Sequence, residues 1–302
     1  MAVISRRGLL KGLTAFVLGG TALGGYAFGI EPRRLTVTRY AMTPKGWPTG
    51  LKLRLVVLAD LHICEPWMPL ARVREIVAVA NSLAPDATLL LGDFVHGPKL
   101  LHQIVPPTAW TAELAKLQAP HGVHTVLGNH DWWDDDAVQR AMKGLPRVQR
   151  SLEAAGLKVY NNDAVRLTKN GQPFWIAGLG DQWAFYGRRN RRNGQRFDGV
   201  DDVPATLAKV TDDAPVILMA HEPDVFADLP HRVALQLSGH THGGQIQFFG
   251  YAPIVPSRYG RRYVYGHVVQ DARHLVVSGG LGCSGIPMRF GRPPEIVVVE
   301  LG

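Results

Sequence analysis

The chain has 302 residues, with 33 Lys and Arg against 25 Asp and Glu and a formal charge of +8. Hydrophobic residues make up 46%, which excludes a disordered chain, and two cysteines are too few for a disulfide framework. A basic balance suits phosphorylated substrates, an anionic membrane surface or nucleic acid; the sequence lacks the interleaved basic–aromatic strip that tracks a nucleic-acid backbone, so no nucleic acid is expected as a partner.

The N-terminus reads as an address. Ser5-Arg6-Arg7-Gly8-Leu9-Leu10-Lys11 precedes a run, 12–30, that carries no charge. A basic start and an apolar run are the parts of an export signal, and paired arginines mark the twin-arginine type. The segment resembles that signal motif, with Leu9 where phenylalanine is usual. The run would also nearly span a bilayer, and an uncleaved signal is an anchor. Residues 1–30 are therefore expected to be a twin-arginine export signal or membrane anchor, with Gly25-Tyr26-Ala27 a mediocre cleavage site, and residues 31–302 one domain. The twin-arginine machinery, which exports folded proteins, would deliver it to the periplasm or the outer face of the cytoplasmic membrane.

Residues 35–42 are β-prone and read as an edge strand. Then a rhythm appears: short aliphatic runs end in polar residues able to bind metal. The run 53–59 leads into Asp60-Leu61-His62, 87–91 into Gly92-Asp93, and 123–127 into Gly128-Asn129-His130-Asp131. Further on, 215–220 leads into His221 and 234–237 into Ser238-Gly239-His240-Thr241-His242. Continuous apolar runs of this length are expected for strands buried on both faces. Helical patterns lie between several of them, at 70–83, 107–117 and 135–155. The alternation predicts an α/β layered architecture whose site lies beyond the carboxyl ends of strands. Three β-rich runs near the C-terminus, 263–269, 274–278 and 295–301, suggest a second sheet.

Asp60 and His62 are two apart, so at a strand end they can jointly grip one ion, and His240 and His242 repeat the arrangement. Carboxylate and imidazole together suit zinc, manganese or iron. Asp93 has two oxygens and could bridge two ions, and Asn129 can offer its amide oxygen. A lone Asp-x-His is common by chance; five such elements in order, each at a predicted strand end, are not.

These five blocks resemble the motifs of the calcineurin-like metallophosphoesterase superfamily. Gly243-Gly244-Gln245, the segment Gly282-Cys283-Ser284-Gly285-Ile286-Pro287-Met288-Arg289-Phe290 and Pro293-Pro294-Glu295-Ile296 look like the exported bacterial YkuE/YaeI-type branch. The resemblance implies two mixed β-sheets packed as a sandwich and flanked by helices. It implies two divalent metal ions, manganese, zinc or iron: one held by Asp60, His62, Asp93 and His242, the other by Asp93, Asn129, His221 and His240. A hydroxide bridging the ions would attack phosphorus, His130 would stabilise or protonate the leaving oxygen, and Asp131 would orient His130. The usual second motif is Gly-Asp-x-x-Asp, and this chain has His96 at its last position.

The expected activity is hydrolysis of a phosphodiester or phosphomonoester, of a cell-envelope or lipid-linked substrate, with membrane association. A pyrophosphatase acting on a lipid-sugar nucleotide of the UDP-diacylglucosamine type is an alternative, and a metal-binding scaffold without catalysis is another. Arg289 could reach a substrate phosphate in a bidentate contact, or be structural. The run Arg188-Arg189-Asn190-Arg191-Arg192, with Arg196, could touch anionic headgroups or be solvated. Of Trp132 and Trp133, at least one is expected to pack rather than to line a substrate wall. Cys64 is not expected to bind metal, and His102, His121, His124, His231, His267 and His274 are assigned no role.

Overall fold

A computed structural model describes residues 6–100, 102–187 and 197–302. Helix α1 (Arg6–Gly25) is long and apolar enough to cross a membrane, with Leu13, Phe16 and Leu18 exposed. A π-helical turn, Tyr26–Ile30, and a 3-10 turn, Glu31–Arg33, follow. Ala27 is buried, its carbonyl accepts from Arg289 N at 3.0 Å, and Glu31 Oε1 accepts from Arg292 N at 2.6 Å. Ala27 and Glu31 are thus both held against the C-terminal segment 289–292.

The first half of the domain runs β1 (Thr36–Met42), β2 (Leu53–Leu58), β3 (Cys64–Glu65), α2 (Leu70–Ser82), β4 (Ala87–Leu90), β5 (Gln103–Ile104), α3 (Pro107–Leu114), β6 (Val123–Thr125), α4 (Asn129–Trp133), α5 (Asp136–Ala141), α6 (Arg147–Ala154) and β7 (Lys158–Val159). The second runs β8 (Asp163–Lys169), β9 (Gln172–Gly178), β10 (Phe185–Tyr186), β11 (Phe197–Asp198), α7 (Val203–Leu207), β12 (Val216–Met219), β13 (Val233–Ser238), β14 (Gly266–Gln270), β15 (Arg273–Val277) and β16 (Glu295–Leu301).

Two six-stranded sheets form, in the orders β1-β16-β2-β4-β6-β7 and β14-β15-β13-β12-β9-β8. Both are mixed: β16 runs antiparallel to β2 in the first, and β8 and β14 run antiparallel to their neighbours in the second. Alternation along β2 explains the layering. Leu55 and Val57 pack between the sheets with Ile217, Met219, Leu235 and Leu237, whereas Val56 and Leu58 face the layer of α2, α3 and α6. Each fully buried aliphatic of this kind stabilises the fold by roughly 1.5–3 kcal/mol, and this two-sided burial is why the runs read as continuous rather than alternating.

Two expectations change, and one element is new. The helix expected over 135–155 is two, α5 and α6, because Met142 takes a left-handed conformation (φ 50°) and Gly144 and Pro146 follow. The C-terminal runs do not form one sheet: β14 and β15 join the second, while β16 returns to the first between β1 and β2. The hairpin β8–β9 has no counterpart in the sequence reading, although Asn170-Gly171 at its turn, both at positive φ, is a strong hairpin signal.

Candidate metal centre and active site

All seven expected metal-binding side chains stand just past the carboxyl ends of parallel strands: Asp60 and His62 after β2, Asp93 after β4, Asn129 after β6, His221 after β12, and His240 and His242 after β13. The strand ladder continues into these loops, with Asp60 N donating to Gly92 O at 3.1 Å, His62 N to Asp93 O at 2.9 Å and Gly239 N to His221 O at 3.0 Å. Asp60, His62, Asp93, His240 and His242 all have positive φ, a conformation uncommon outside glycine. Sharp left-handed turns let residues two apart both face inward. Gly128 is required at its position, since a Cβ there would lie 2.4 Å from Asp93 Oδ1 and 2.6 Å from His221 Cε1.

Two clusters result, Asp60–His62–His242 and Asp93–His221–His240, each with its ligand atoms within 4.8 Å of one another and each fully buried. Asp93 joins them: its Oδ2 is 3.6 Å from His62 Nε2 and 3.3 Å from His221 Nε2. Asn129 Oδ1 lies 2.9 Å from His240 Nδ1. The chemistry of these donors fits two cations. His62 Nδ1 faces the carbonyls of Val95 and His96, both at 3.1 Å, and His221 Nδ1 faces that of Leu91 at 2.6 Å. Those contacts place a ring proton on Nδ1 of each and turn Nε2 toward the carboxylate of Asp93. His62 Nε2 then sits 3.0 Å from His242 Nε2, and Asp60 Oδ2, His221 Nε2 and His240 Nε2 are buried without hydrogen-bond partners. Buried lone pairs this close together are costly, and a cation in each cluster would satisfy those that face one another.

The electrostatics divide the rings: burial would lower His221, but Asp93 outweighs it and holds that ring well above the ordinary histidine range, whereas the other rings are held low. Burial, followed by neighbouring positive charge, holds His242 well below the ordinary histidine range, with His62 and Arg289 contributing. Burial likewise lowers His62 and pushes His240 down to about 3, so these rings carry free lone pairs at neutral pH. Burial would raise Asp93, but His221, His130 and His62 outweigh it and hold its carboxyl well below the usual range.

His130 lines the cavity beside the clusters. Its ring packs against His96 (5.2 Å between centroids), Trp133 (4.9 Å) and His62 (5.0 Å), and its backbone N–H donates to Asp93 Oδ1 at 2.9 Å. His96, at the position that departs from the usual motif, therefore stacks on His130. Trp132 is buried in the core and Trp133 lines the cavity, one of each kind. Arg188, Arg189, Asn190, Arg191, Arg192 and Arg196 lie outside the described residues. Cys64 and Cys283 are buried and unpaired.

Two expected roles are corrected. Arg289 does not line the cavity: it is fully buried, donating through Nε and Nη2 to Gly282 O and through Nη1 to Gly279 O (2.9 Å) and Arg292 O (3.0 Å). Its Nη2 lies 3.3 Å from His242 Nδ1. It braces the loop behind His242 and leaves no donor for a phosphate in the cavity. Asp131 does not bond the His130 ring. Its Oδ2 accepts from Asp93 N (2.9 Å) and Gly128 N (3.0 Å), and its Oδ1 from Phe94 N (2.8 Å).

The sequence reading also missed Trp183, which packs edge-on against His240 at 4.6 Å and lines the cavity. A signal existed: β9 is one more apolar run ending in polar residues, Gly180-Asp181, and Trp183 follows at once. Asp181 is buried there beside His221 and Glu222; burial, then the Glu222 charge, pushes it well above the ordinary range.

Comparison with known proteins follows the same lines. The family model described as calcineurin-like phosphoesterase matches residues 53–244. The chain is 32% identical to the metallophosphoesterase YkuE of Bacillus subtilis over 310 residues, covering 100% of this chain and 99% of that protein. It is 28% identical to the phosphodiesterase YaeI of Escherichia coli over 306 residues, covering 99% and 100%. The crystal structure of a dimetal phosphatase from Danio rerio is similar with a TM-score of 0.42 at 12% identity, covering 76% of this chain and 88% of that one. With a dinuclear site for divalent cations assembled at its strand ends, the chain belongs to the calcineurin-like phosphoesterase family and is a metal-dependent phosphoester hydrolase.

Proposed function

We propose that the protein hydrolyses a phosphodiester or phosphomonoester carrying an apolar group, in a cell-envelope or lipid-linked substrate. One observation carries this reading. The cavity of about 450 Å³ that opens on Asp93, Asn129 and His240 has an apolar wall, built from Trp133, Trp183, Ile246, Pro253, Ile254 and Ile286. A site for small, highly charged monoesters would be lined by polar groups, whereas this wall buries a hydrocarbon or aromatic substituent next to the phosphate.

Asp60, His62, Asp93 and His242 would hold one cation, and Asp93, Asn129, His221 and His240 the other, drawn from manganese, zinc or iron. Two divalent cations supply charge neutralisation for the phosphate and make water nucleophilic at neutral pH. His130 would stabilise or protonate the leaving oxygen from the cavity wall, held by the rings of His96 and Trp133. Trp133 and Trp183 would exclude water from the apolar substituent. Asp131 would act by holding the backbone of Asp93 and Gly128, and Arg289 by bracing His242.

Residues 1–30 would direct export by the twin-arginine machinery and remain as an anchor at the outer face of the cytoplasmic membrane. The engagement of Ala27 by Arg289 supports retention, because cleavage after Ala27 would cut a segment packed into the domain. The test is hydrolysis of bis-p-nitrophenyl phosphate with added manganese, set beside p-nitrophenyl phosphate. Faster turnover of the diester is expected. Inactivity across a panel of metals and phosphoesters would overturn the reading.

A further inference from the structure

The segment 246–256 forms one side of the cavity, through Ile246, Pro253, Ile254 and Pro256, and its outer edge is unusual. Phe248 N donates to Tyr251 O at 2.9 Å and Tyr251 N to Phe248 O at 2.8 Å, closing a tight turn over Phe249 and Gly250. Both central residues have positive φ, 49° and 81°, as a two-residue hairpin turn of the I′ class requires. Such turns in water take Asn-Gly or Asp-Gly, because a bulky residue is strained at the first position. Here a phenylalanine occupies it and is wholly exposed (109%), flanked by Phe248 (47%), Tyr251 (53%) and Ile254 (79%). Turn formation does not call for this choice of residues, and water penalises it.

The same edge is joined to the root of α1. Phe248 packs on Phe290 with ring centroids 5.1 Å apart, and Phe290 meets Tyr26 edge-on at 6.4 Å. Gln247 N donates to Phe290 O at 2.8 Å, and the next residue back, Arg289, donates to Ala27 O. Cations border the patch: Arg34 Nη1 donates to Tyr26 Oη at 3.3 Å, and the Arg261 guanidinium lies 4.5 Å from the centre of the Tyr251 ring. Exposed aromatics edged by arginine, at the root of a helix able to cross a membrane, make up the composition of a membrane–water interface.

We infer that the edge carrying Phe248, Phe249, Tyr251 and Ile254 docks into the lipid bilayer beside α1, setting the apolar wall of the cavity at the membrane surface. This rests on the membrane-facing reading of the proposed function and deepens it: a substrate embedded in the bilayer enters along Ile254 with its phosphate directed to the clusters, without leaving the lipid phase. Phe249 and Tyr251 lie outside the cavity lining, so they act on docking and not on chemistry.

The experiment uses the full chain in vesicles of phosphatidylethanolamine and phosphatidylglycerol, 3:1. An environment-sensitive fluorophore is attached at Phe249→Cys and, separately, at Tyr251→Cys; a control is placed at Gln118→Cys, in the loop leading into β6 at the end of the sheet opposite the site. The native cysteines are buried and do not compete. Emission at least twofold higher at 249 and 251 than at 118, quenched by spin-labelled lipid, is the expected result. Equal emission at all three sites overturns the inference. A rise that spin-labelled lipid fails to quench overturns it too, because it places a protein, such as a second copy of this chain, on the patch. The unsubstituted full chain is assayed on bis-p-nitrophenyl phosphate alongside: its inactivity refutes the proposed function, whereas a water-exposed label on an active enzyme refutes only the docking.

Discussion

Asp131→Asn isolates the part Asp131 plays. The substitution keeps the shape of a fully buried side chain and exchanges one acceptor for a donor. The carboxylate ties two loops together, accepting from Asp93 N and Phe94 N after β4 and from Gly128 N after β6. Asparagine has one oxygen, and its best placement is on the pair from Asp93 and Gly128. The amide nitrogen then faces the Phe94 N–H, donor against donor. One buried N–H left without a partner costs roughly 1–3 kcal/mol. At about 2–4 °C per kcal/mol for a domain near this size, Tm should fall by roughly 2–12 °C. Thermal unfolding is followed by circular dichroism in excess chelator, so that metal binding does not enter. Asp131→Ala strands all three N–H groups and should fall further. If Asp131 served instead to orient His130, Asp131→Asn would lower turnover at unchanged Tm, and that result would refute the clamp.

His130→Ala should reduce turnover by ~10²–10⁴, the usual worth of a general acid, while two metal ions per chain remain by elemental analysis. Asp93→Asn should lower the content of both ions, since Asp93 Oδ2 faces His62 and His221 together. Gly128→Ala should also empty the site, because the new Cβ meets Asp93 Oδ1 at 2.4 Å and His221 Nε2 at 2.7 Å; a loaded, active variant would show the loop to be freer than its contacts indicate. Chelation of the wild-type protein should lower Tm, with manganese restoring about 2.7 kcal/mol of stability at a hundredfold excess over Kd.

The site was more legible in the sequence than the fold around it. A polar residue at a strand end leaves a local mark, an apolar run that stops at it, and such marks pointed to the six Asp and His side chains that gather in the two clusters. Sheet membership leaves none. Little in the run 295–301 distinguishes β16, inserted between β1 and β2, from β15, which pairs with β13, because both are buried on two faces and both are built on Val and Leu. Residue roles set by direction were hidden for a related reason. Asp131 and Arg289 sit within recognisable motifs, but whether a carboxylate meets a ring or three backbone N–H groups depends on which way α4 leaves β6. Beyond Trp133 the cavity wall was least legible of all, because Trp183, Ile254 and Ile286 come from three separate loops and share no spacing.

The sandwich itself is what the metal centre requires. The first sheet contributes Asp60, His62 and Asp93 through β2 and β4, and the second contributes His221, His240 and His242 through β12 and β13. Each cluster draws on both: Asp60 and His62 meet His242, and Asp93 meets His221 and His240. Neither sheet alone presents a complete donor set, so the inter-sheet packing of Leu55, Val57, Ile217 and Leu237 fixes the spacing of the donors. Left-handed backbone at five of them stores strain on the order of 1 kcal/mol each, and the unpaired lone pairs add more. The rigid strands below hold that arrangement when the clusters are empty, and a cation in each would pair the lone pairs that face one another. Metal binding is thereby coupled to the contact between the sheets, which is why chelation should be felt as lost stability of the whole domain and not only as lost turnover.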